Sequence, residues 1–204
     1  AYKISSAYKI PEVFMEAYDL CMDGRPGPVL IDIPMDVQIM EVPSQFMQKV
    51  SEKERLFDSQ KTKEFIEKFK TDFANSKKPL CLLGRGARIA GETEMLISFI
   101  EKLNIPVVTS LLAVDLIPYD HPLRAGFIGT YGNRWANWAL GTCDFLLVLG
   151  SRLDLRQTGV DAESFKANKV IYHVDIDNAE LNNRITGCIA LNQDIKRFID
   201  EAIK

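Results

Sequence analysis

The sequence has little charge of either sign to spare. Its 25 Lys and Arg stand against 28 Asp and Glu, a net charge of -3 over 204 residues, with no run of Lys and Arg. That balance gives no electrostatic reason to expect nucleic acid or an anionic membrane as a partner. Long apolar runs are missing too. Stretches such as FLLVLG (145–150) are far shorter than the roughly 20 residues needed to cross a bilayer. AYKISSAYKI at the start lacks the apolar centre of a signal peptide, so a cytoplasmic location is expected. Histidine is scarce, only His121 and His173. Cys21, Cys81, Cys143 and Cys188 are widely spaced, and three lie in or beside apolar segments, which favours free buried thiols over disulfides. No metal site is expected from so few ligands. There is also no nucleophile elbow, no Cys with a paired base and no phosphate loop ending in Lys-Ser or Lys-Thr. No residue is assigned a catalytic role, and the chain reads as a binding module.

What is present is a core. With 47% apolar residues, 204 residues suffice for one large domain, or one domain with extensions. PEVFMEAYDLCM (11–22) opens with Pro at a first helical position and places Val13, Phe14, Ala17, Tyr18 and Cys21 on one face. Gly24 and a Pro-Gly-Pro turn lead to VLIDI, a strand stopped by Pro34, which has no evident partner strand. From Met35 the pattern becomes mixed. A linker is expected, then a helix over TKEFIEKFKTDFA with Phe65, Ile66, Phe69 and Phe73 inward and Thr62 as its cap, docking on the strands and helices beyond Lys78.

In that later region strands and helices alternate. PLCLLG (79–84), IPVVTS (105–110), DFLLVLGS (144–151) and KVIYHVDID (169–177) read as strands. Between them GETEMLISFIEKLN (91–104) is a helix with Met95, Leu96, Phe99, Ile100 and Leu103 inward. NRWANWALGTC carries Trp135, Trp138 and Ala139, and QDIKRFIDEAIK closes the chain as an amphipathic helix. Near-continuous apolar strands alternating with helices imply a doubly wound α/β fold, a parallel sheet with helices on both faces.

Ligands of such sheets bind at the carboxyl ends of the strands, near a switch in strand order. There the sequence places Gly84-Arg85-Gly86, Ser110-Leu111, Gly150-Ser151-Arg152 with Asp154, Arg156 and Gln157, and Asp175-Ile176-Asp177. Gly126-Phe127-Ile128-Gly129 leads into the tryptophan helix, with Asn133 as its cap, but does not directly follow a strand. Glycines allow close backbone approach, arginines meet phosphates and carboxylates accept ribose hydroxyls, so a nucleotide or dinucleotide suits the inventory. The same residues also read as turn glycines, an Asp154–Arg156 pair, and Asp175 and Asp177 capping a helix from Ala179. His121 reads as a surface residue and His173 as a satisfied core histidine.

GRPGPVLIDIPMDVQ, PVVTSLLAVDLIPYDHPLRAGFIGTYGNRWANWAL, CDFLLVLGSRLDLRQTG and VIYHVDIDNAEL, in that order, resemble the thiamine-diphosphate enzymes related to acetolactate synthase. The resemblance implies a Rossmann-like central domain over 79–204. It makes 35–78 a linker and docking helix, and 1–34 the C-terminal remnant of a pyrimidine-binding domain that packs on the central domain or on another copy of the chain. The parent it implies is a decarboxylase or carboligase, a lyase or transferase, acting on 2-oxo acids with thiamine diphosphate and magnesium. The catalytic glutamate belongs to a segment upstream of residue 1, and the Gly-Asp-Gly motif for magnesium and diphosphate belongs downstream of Lys204. This chain alone is therefore expected to bind neither and to be inactive, its partners being those missing domains and, as a homo-oligomer, its own copies.

The resemblance also implies FAD or another nucleotide in the central domain. The contacting positions would be Gly84, Arg85, Gly86, Ser110, Leu111, Gly126, Phe127, Ile128, Gly150, Ser151, Arg152, Asp154, Gln157 and Asp175. Two departures weigh against FAD. Arg85 stands where the synthases have a third small glycine, and Phe127-Ile128 stands where they read Met-His. An independent nucleotide- or NAD-binding enzyme such as a deacylase, and a purely structural interaction module, are the alternative readings.

Overall fold

The computed structural model describes residues 1–42 and 57–204. These fall into two compact units, Ala1–Leu56 and Phe57–Lys204. Most of the expected linker, residues 43–56, lies outside the described residues.

In the first unit β1 (Tyr2–Lys3) pairs in parallel with β2 (Ile31–Asp32), Tyr2 opposite Ile31, with α1 (Ile10–Met22) as the crossover and α2 (Met35–Gln38) after it. The strand in VLIDI thus has a partner after all. It went unnoticed because two residues are too few to show an alternation. Ile4, Ala7 and Val37 form the small core, joined by Ile10, Val13, Ile31 and Ile33. The inner face of α1 is therefore Ile10, Val13 and Ala17. Phe14 and Tyr18, expected on that face, are exposed.

The second unit opens with α3 (Ser59–Asn75). Its cap is Asp58, whose carboxylate accepts from Gln60 N and Lys61 N, and not Thr62. Thr62 sits inside the helix, its hydroxyl donating to Asp58 O and accepting from Gln193 Nε2. There follow β3 (Pro79–Leu83), α4 (Arg85–Ile89), α5 (Thr93–Leu103), β4 (Val107–Thr109), β5 (Arg124–Phe127) and α6 (Arg134–Thr142). β6 (Phe145–Leu149), α7 (Leu155–Thr158), α8 (Ala162–Lys166), β7 (Val170–Asp175), β8 (Ile189–Asn192) and α9 (Ile195–Ala202) complete it.

The six strands are all parallel, in the order β5-β4-β3-β6-β7-β8. The chain winds outward from β3 in one direction, then returns beside it at β6 and winds outward in the other. That is the dinucleotide-binding order, with its switch between β3 and β6. Alternate residues of each strand feed two cores. Cys81, Leu83, Phe145, Leu147, Tyr172 and Val174 meet Phe65, Phe69, Phe99 and Phe198 from α3, α5 and α9. Leu80, Leu82, Leu146, Val148 and Ile171 meet Ala136 and Leu140 from α6, with Phe165 of α8 packed against them. α6 buries Ala136 and Leu140 and leaves Trp135 and Trp138 exposed. Cys81, Cys143 and Cys188 are free and buried, as expected.

Candidate functional site

Because every strand runs the same way, the residues singled out at strand ends share one edge of the sheet. Across it lie Gly126 and Phe127 at the end of β5, Ser110 after β4, Gly84 to Gly86 after β3, Gly150 to Asp154 after β6, and Asp175 closing β7. From β5 to β7 is four strand spacings, about 19 Å. An extended ligand is needed to reach from Phe127 to Asp175, while a compact one could touch only the middle.

The middle is the switch point, and its glycines are packed against one another. A Cβ on Gly84 would run into the Gly150 carbonyl and Ser151 Cα, and one on Gly86 would lie 2.7 Å from Gly150 Cα. Gly150 itself has φ +62°, which favours glycine whatever the space. The amides here are committed as well: Gly84 N donates to Leu149 O, Gly86 N to Gly150 O at 2.8 Å, and Gly150 N to Val174 O. These glycines let two loops cross without a gap.

The side chains next to them are the groups a ligand could meet. Arg85, Leu111 and Arg152 are exposed, and Gly86, Phe127, Asp154 and Gln157 are half-buried. Arg152 has Asp154 and Glu180 only at 3.9 Å. Asp154 caps α7, accepting from Arg156 N and Gln157 N, so the expected Asp154–Arg156 ion pair is replaced by a backbone contact. Gln157 Oε1 accepts from the buried Ser151 hydroxyl at 2.6 Å. Between them Leu153 adopts the left-handed backbone region, φ +51°, which costs a non-glycine residue about 1 kcal/mol. This side chain is buried, which holds the loop in that conformation.

Other assignments change. Ile128 lies in the core and offers no surface to a ligand. Gly126 and Phe127 belong to a strand, contrary to expectation, because RAGF is too short and too polar to read as one. Asn133 stands at the cap position of α6, yet its Oδ1 accepts from Phe127 N at 3.0 Å. Asn137, which sequence reasoning missed, clamps Gly129 through both its amide groups, at 2.8 and 3.0 Å. The only signal was two asparagines one helical turn apart after a glycine-rich loop. Asp175 accepts from Asp177 N, and Asp177 from Ala179 N, in a turn and not a helix. His121, expected at the surface, is largely covered, 3.3 Å from Glu101. His173 is buried, Nε2 bonded to Ser151 O at 2.8 Å, but among the described residues Nδ1 has no partner. Burial pushes its pKa down to about 4, so the ring is neutral.

Tested against this geometry, the site fits a nucleotide in part. Exposed arginines near the switch point suit a diphosphate and half-buried Asp154 suits a hydroxyl donor, whereas Asp175 is buried and its Oδ1 already accepts from Asp177 N. Ile128 and the mutually packed glycines offer no cradle that only FAD would fill.

Comparison with known proteins agrees with the architecture. The family model for thiamine pyrophosphate enzymes, central domain, matches residues 66–202. The acetolactate synthase large subunit of Lactococcus lactis is 36% identical over 208 residues, covering 100% of this chain and 35% of that protein. Acetolactate synthase 1, chloroplastic, of Zea mays is 37% identical over 198 residues, covering 96% of this chain and 30% of that protein. The chain thus spans about a third of the length of these relatives. Benzoylformate decarboxylase from Polynucleobacter necessarius superposes with a TM-score of 0.81 at 24% identity, over 100% of this chain and 37% of the other, which shows a common fold. With the family model matching more than half of its length, the chain belongs to the thiamine pyrophosphate enzymes through their central domain.

Proposed function

We propose that this chain is the central part of a thiamine-diphosphate-dependent decarboxylase or carboligase of the acetolactate synthase type, and that its switch-point crevice holds the diphosphate of a nucleotide. The observation that carries the second part is the crossing of the β3–α4 and β6–α7 loops at one packed glycine cluster, with exposed Arg85 between Gly84 and Gly86 and exposed Arg152 two residues after Gly150. Arg85 and Arg152 would hold the diphosphate. Half-buried Asp154 would accept from a ribose hydroxyl, and exposed Leu111 would lie against a base. FAD is one candidate and an adenine nucleotide another. A flavin bound there would serve mainly to hold structure, as the resemblance implies.

Thiamine diphosphate would supply the parent's nucleophilic carbon, and on this reading the residues that would hold it and magnesium belong to other parts of the parent. The chain's own contribution is therefore binding and scaffolding, with 2-oxo acid turnover requiring the remainder of the parent. Isothermal titration with FAD, ADP and NAD tests the nucleotide reading. Heat with at least one of them, lost in Arg152→Ala, is the expected result. No heat with any, from a chain whose circular dichroism shows it folded, leaves only the scaffold. Acetolactate formed from pyruvate by the isolated chain, given thiamine diphosphate and magnesium, would overturn the division of labour.

A further inference from the structure

His173 is a polar residue in an apolar place. It is 1% exposed within β7, with Val148 and Ala190 beside it in register. Its ring makes one polar contact, Nε2 to Ser151 O at 2.8 Å, and among the described residues Nδ1 meets no partner. A carbonyl oxygen only accepts, so Nε2 carries the proton and Nδ1 is a buried lone pair without a donor. An apolar side chain there would leave no such atom. What the ring does is therefore read from its one contact. Ser151 is 2% exposed in the β6–α7 loop, and its hydroxyl is held from the opposite end, donating to Gln157 Oε1 of α7 at 2.6 Å. Two elements thus fix residue 151, and the peptide that follows is fixed with it. Peptides among the described residues are trans, and a trans peptide sets its N–H opposite to its C=O. β6 lies between β3 and β7. A Ser151 carbonyl turned to β7 leaves the Arg152 N–H turned to the β3 side, where the Gly84–Gly86 loop crosses. Among the described residues nothing accepts from that N–H. The Arg152 side chain is exposed, with carboxylates no nearer than 3.9 Å.

We propose that His173 is a positioning residue for anion binding: through Ser151 O it presents the Arg152 amide to the switch-point crevice, where that N–H and the Arg152 guanidinium meet one phosphate group. This rests on the diphosphate reading of the crevice given above, and adds to it a backbone donor and the buried group that aims it. His173 itself touches no ligand. A backbone N–H held in place donates to a phosphate oxygen without the ordering cost of a long side chain. The guanidinium supplies charge and the amide supplies direction. Without the imidazole the Ser151 carbonyl loses its donor inside the fold, and a buried carbonyl without a donor turns towards water. That rotation carries the Arg152 N–H away from the crevice.

The test is titration of the isotope-labelled chain with inorganic pyrophosphate and, separately, with ADP, read by calorimetry and at the Arg152 amide resonance. In the native chain that amide should shift downfield as ligand saturates. His173→Gln keeps a donor for Ser151 O, so it should bind within about threefold of the native chain and show the same shift. His173→Leu should bind about tenfold more weakly or worse, the loss of one charge-assisted hydrogen bond, with the amide shift gone while circular dichroism shows the chain folded. Arg152→Ala should weaken binding yet keep the amide shift at saturation, which separates backbone from side chain. Should His173→Leu fail to fold, the native and His173→Gln titrations still decide. Pyrophosphate or ADP bound with the Arg152 amide unmoved would overturn the proposal, as would a His173→Leu chain that binds as tightly as the native one. Either result with nucleotide bound leaves the diphosphate reading standing and removes this one alone. Binding of neither pyrophosphate nor any nucleotide removes both.

Discussion

The hydroxyl of Tyr172 on β7 donates to the Asp72 carboxylate on α3 at 2.6 Å, joining positions 100 residues apart. The ring is fully buried, edge-on to Phe65 and Phe69 and stacked on Phe145. Its one polar atom reaches the partly exposed rim where Asp72 also meets Lys68 at 3.1 Å. This bond fixes the rotation of α3 on the sheet. Its energetic consequences are specific enough to measure.

Removing the hydroxyl should cost about 1.5 kcal/mol, at the lower end for a bond to a charged acceptor because water can reach Asp72. The Tyr172 bond is the main cause holding the Asp72 carboxyl below its ordinary pKa, against the opposing effect of burial. A depressed carboxylate stabilises the fold above its unfolded pKa, near 3.9, and that contribution is lost as pH falls through the folded value. Urea unfolding of Tyr172→Phe should show the loss at pH 7 and a shallower fall below about pH 4 than the native chain. Equal stability at pH 7 would mean the bond contributes nothing net.

Gly84 at the switch point and Gly187 in the loop before β8 are glycines of two kinds, and alanine substitution should separate them. Gly84 has an ordinary φ, so Gly84→Ala tests sterics alone, and the Gly150 carbonyl has no room to retreat without shifting β6. A loss of roughly 3 kcal/mol or failure to fold is expected, in line with overpacking against backbone. Gly187→Ala meets open space and only the strain of φ +80°, so it should lose about 1 kcal/mol. Thermal unfolding of both variants decides. Similar small losses would show that the loops can move apart.

The contrast shows where sequence reading stops. β3, β6 and β7 were legible because PLCLL, FLLVL and VIYHVD are buried on both faces and read as unbroken apolar runs. β5 (RAGF) and β8 (IALN) are outer strands of four residues with too little pattern to register. The site's location followed from glycines after strands, since turn chemistry is local. What those glycines touch did not follow, because Gly84 and Gly150 meet only after the chain has made a full excursion through β4 and β5. The inward placement of Ile128 had no local signal either, nor did the reach of Asn133 back to Phe127.

Thiol reactivity offers a check on burial. Cys81, Cys143 and Cys188 are buried, and burial raises each thiol, Cys188 to about 11. Cys21 is only half-buried. At pH 8 a disulfide reagent in excess should titrate one thiol quickly in the native chain and all four after guanidinium. A second fast thiol would place one of the three at a surface that opens readily.

His173 gives the chain a second, independent acid sensitivity. Its neighbours in register are Val148 on β6 and Ala190 on β8, and its Nε2 contacts the Ser151 carbonyl. Protonation would add a charge where, among the described residues, no carboxylate is bonded to the ring, so desolvation holds the folded pKa down to about 4 against 6.5. A histidine depressed on folding stabilises the native state above its unfolded pKa and withdraws that support as pH falls from about 6.5 towards 4. The full shift corresponds to about 3 kcal/mol. His173→Gln keeps an N–H for Ser151 O but cannot titrate. It should be somewhat less stable than the native chain at pH 7, yet lose less between pH 6.5 and 4.5, so that the two unfolding curves converge. The Asp72 effect falls below that window and leaves the comparison undisturbed. Parallel pH dependences in the two proteins would mean that the imidazole finds a partner when charged, and that the loop after β6 moves to provide it.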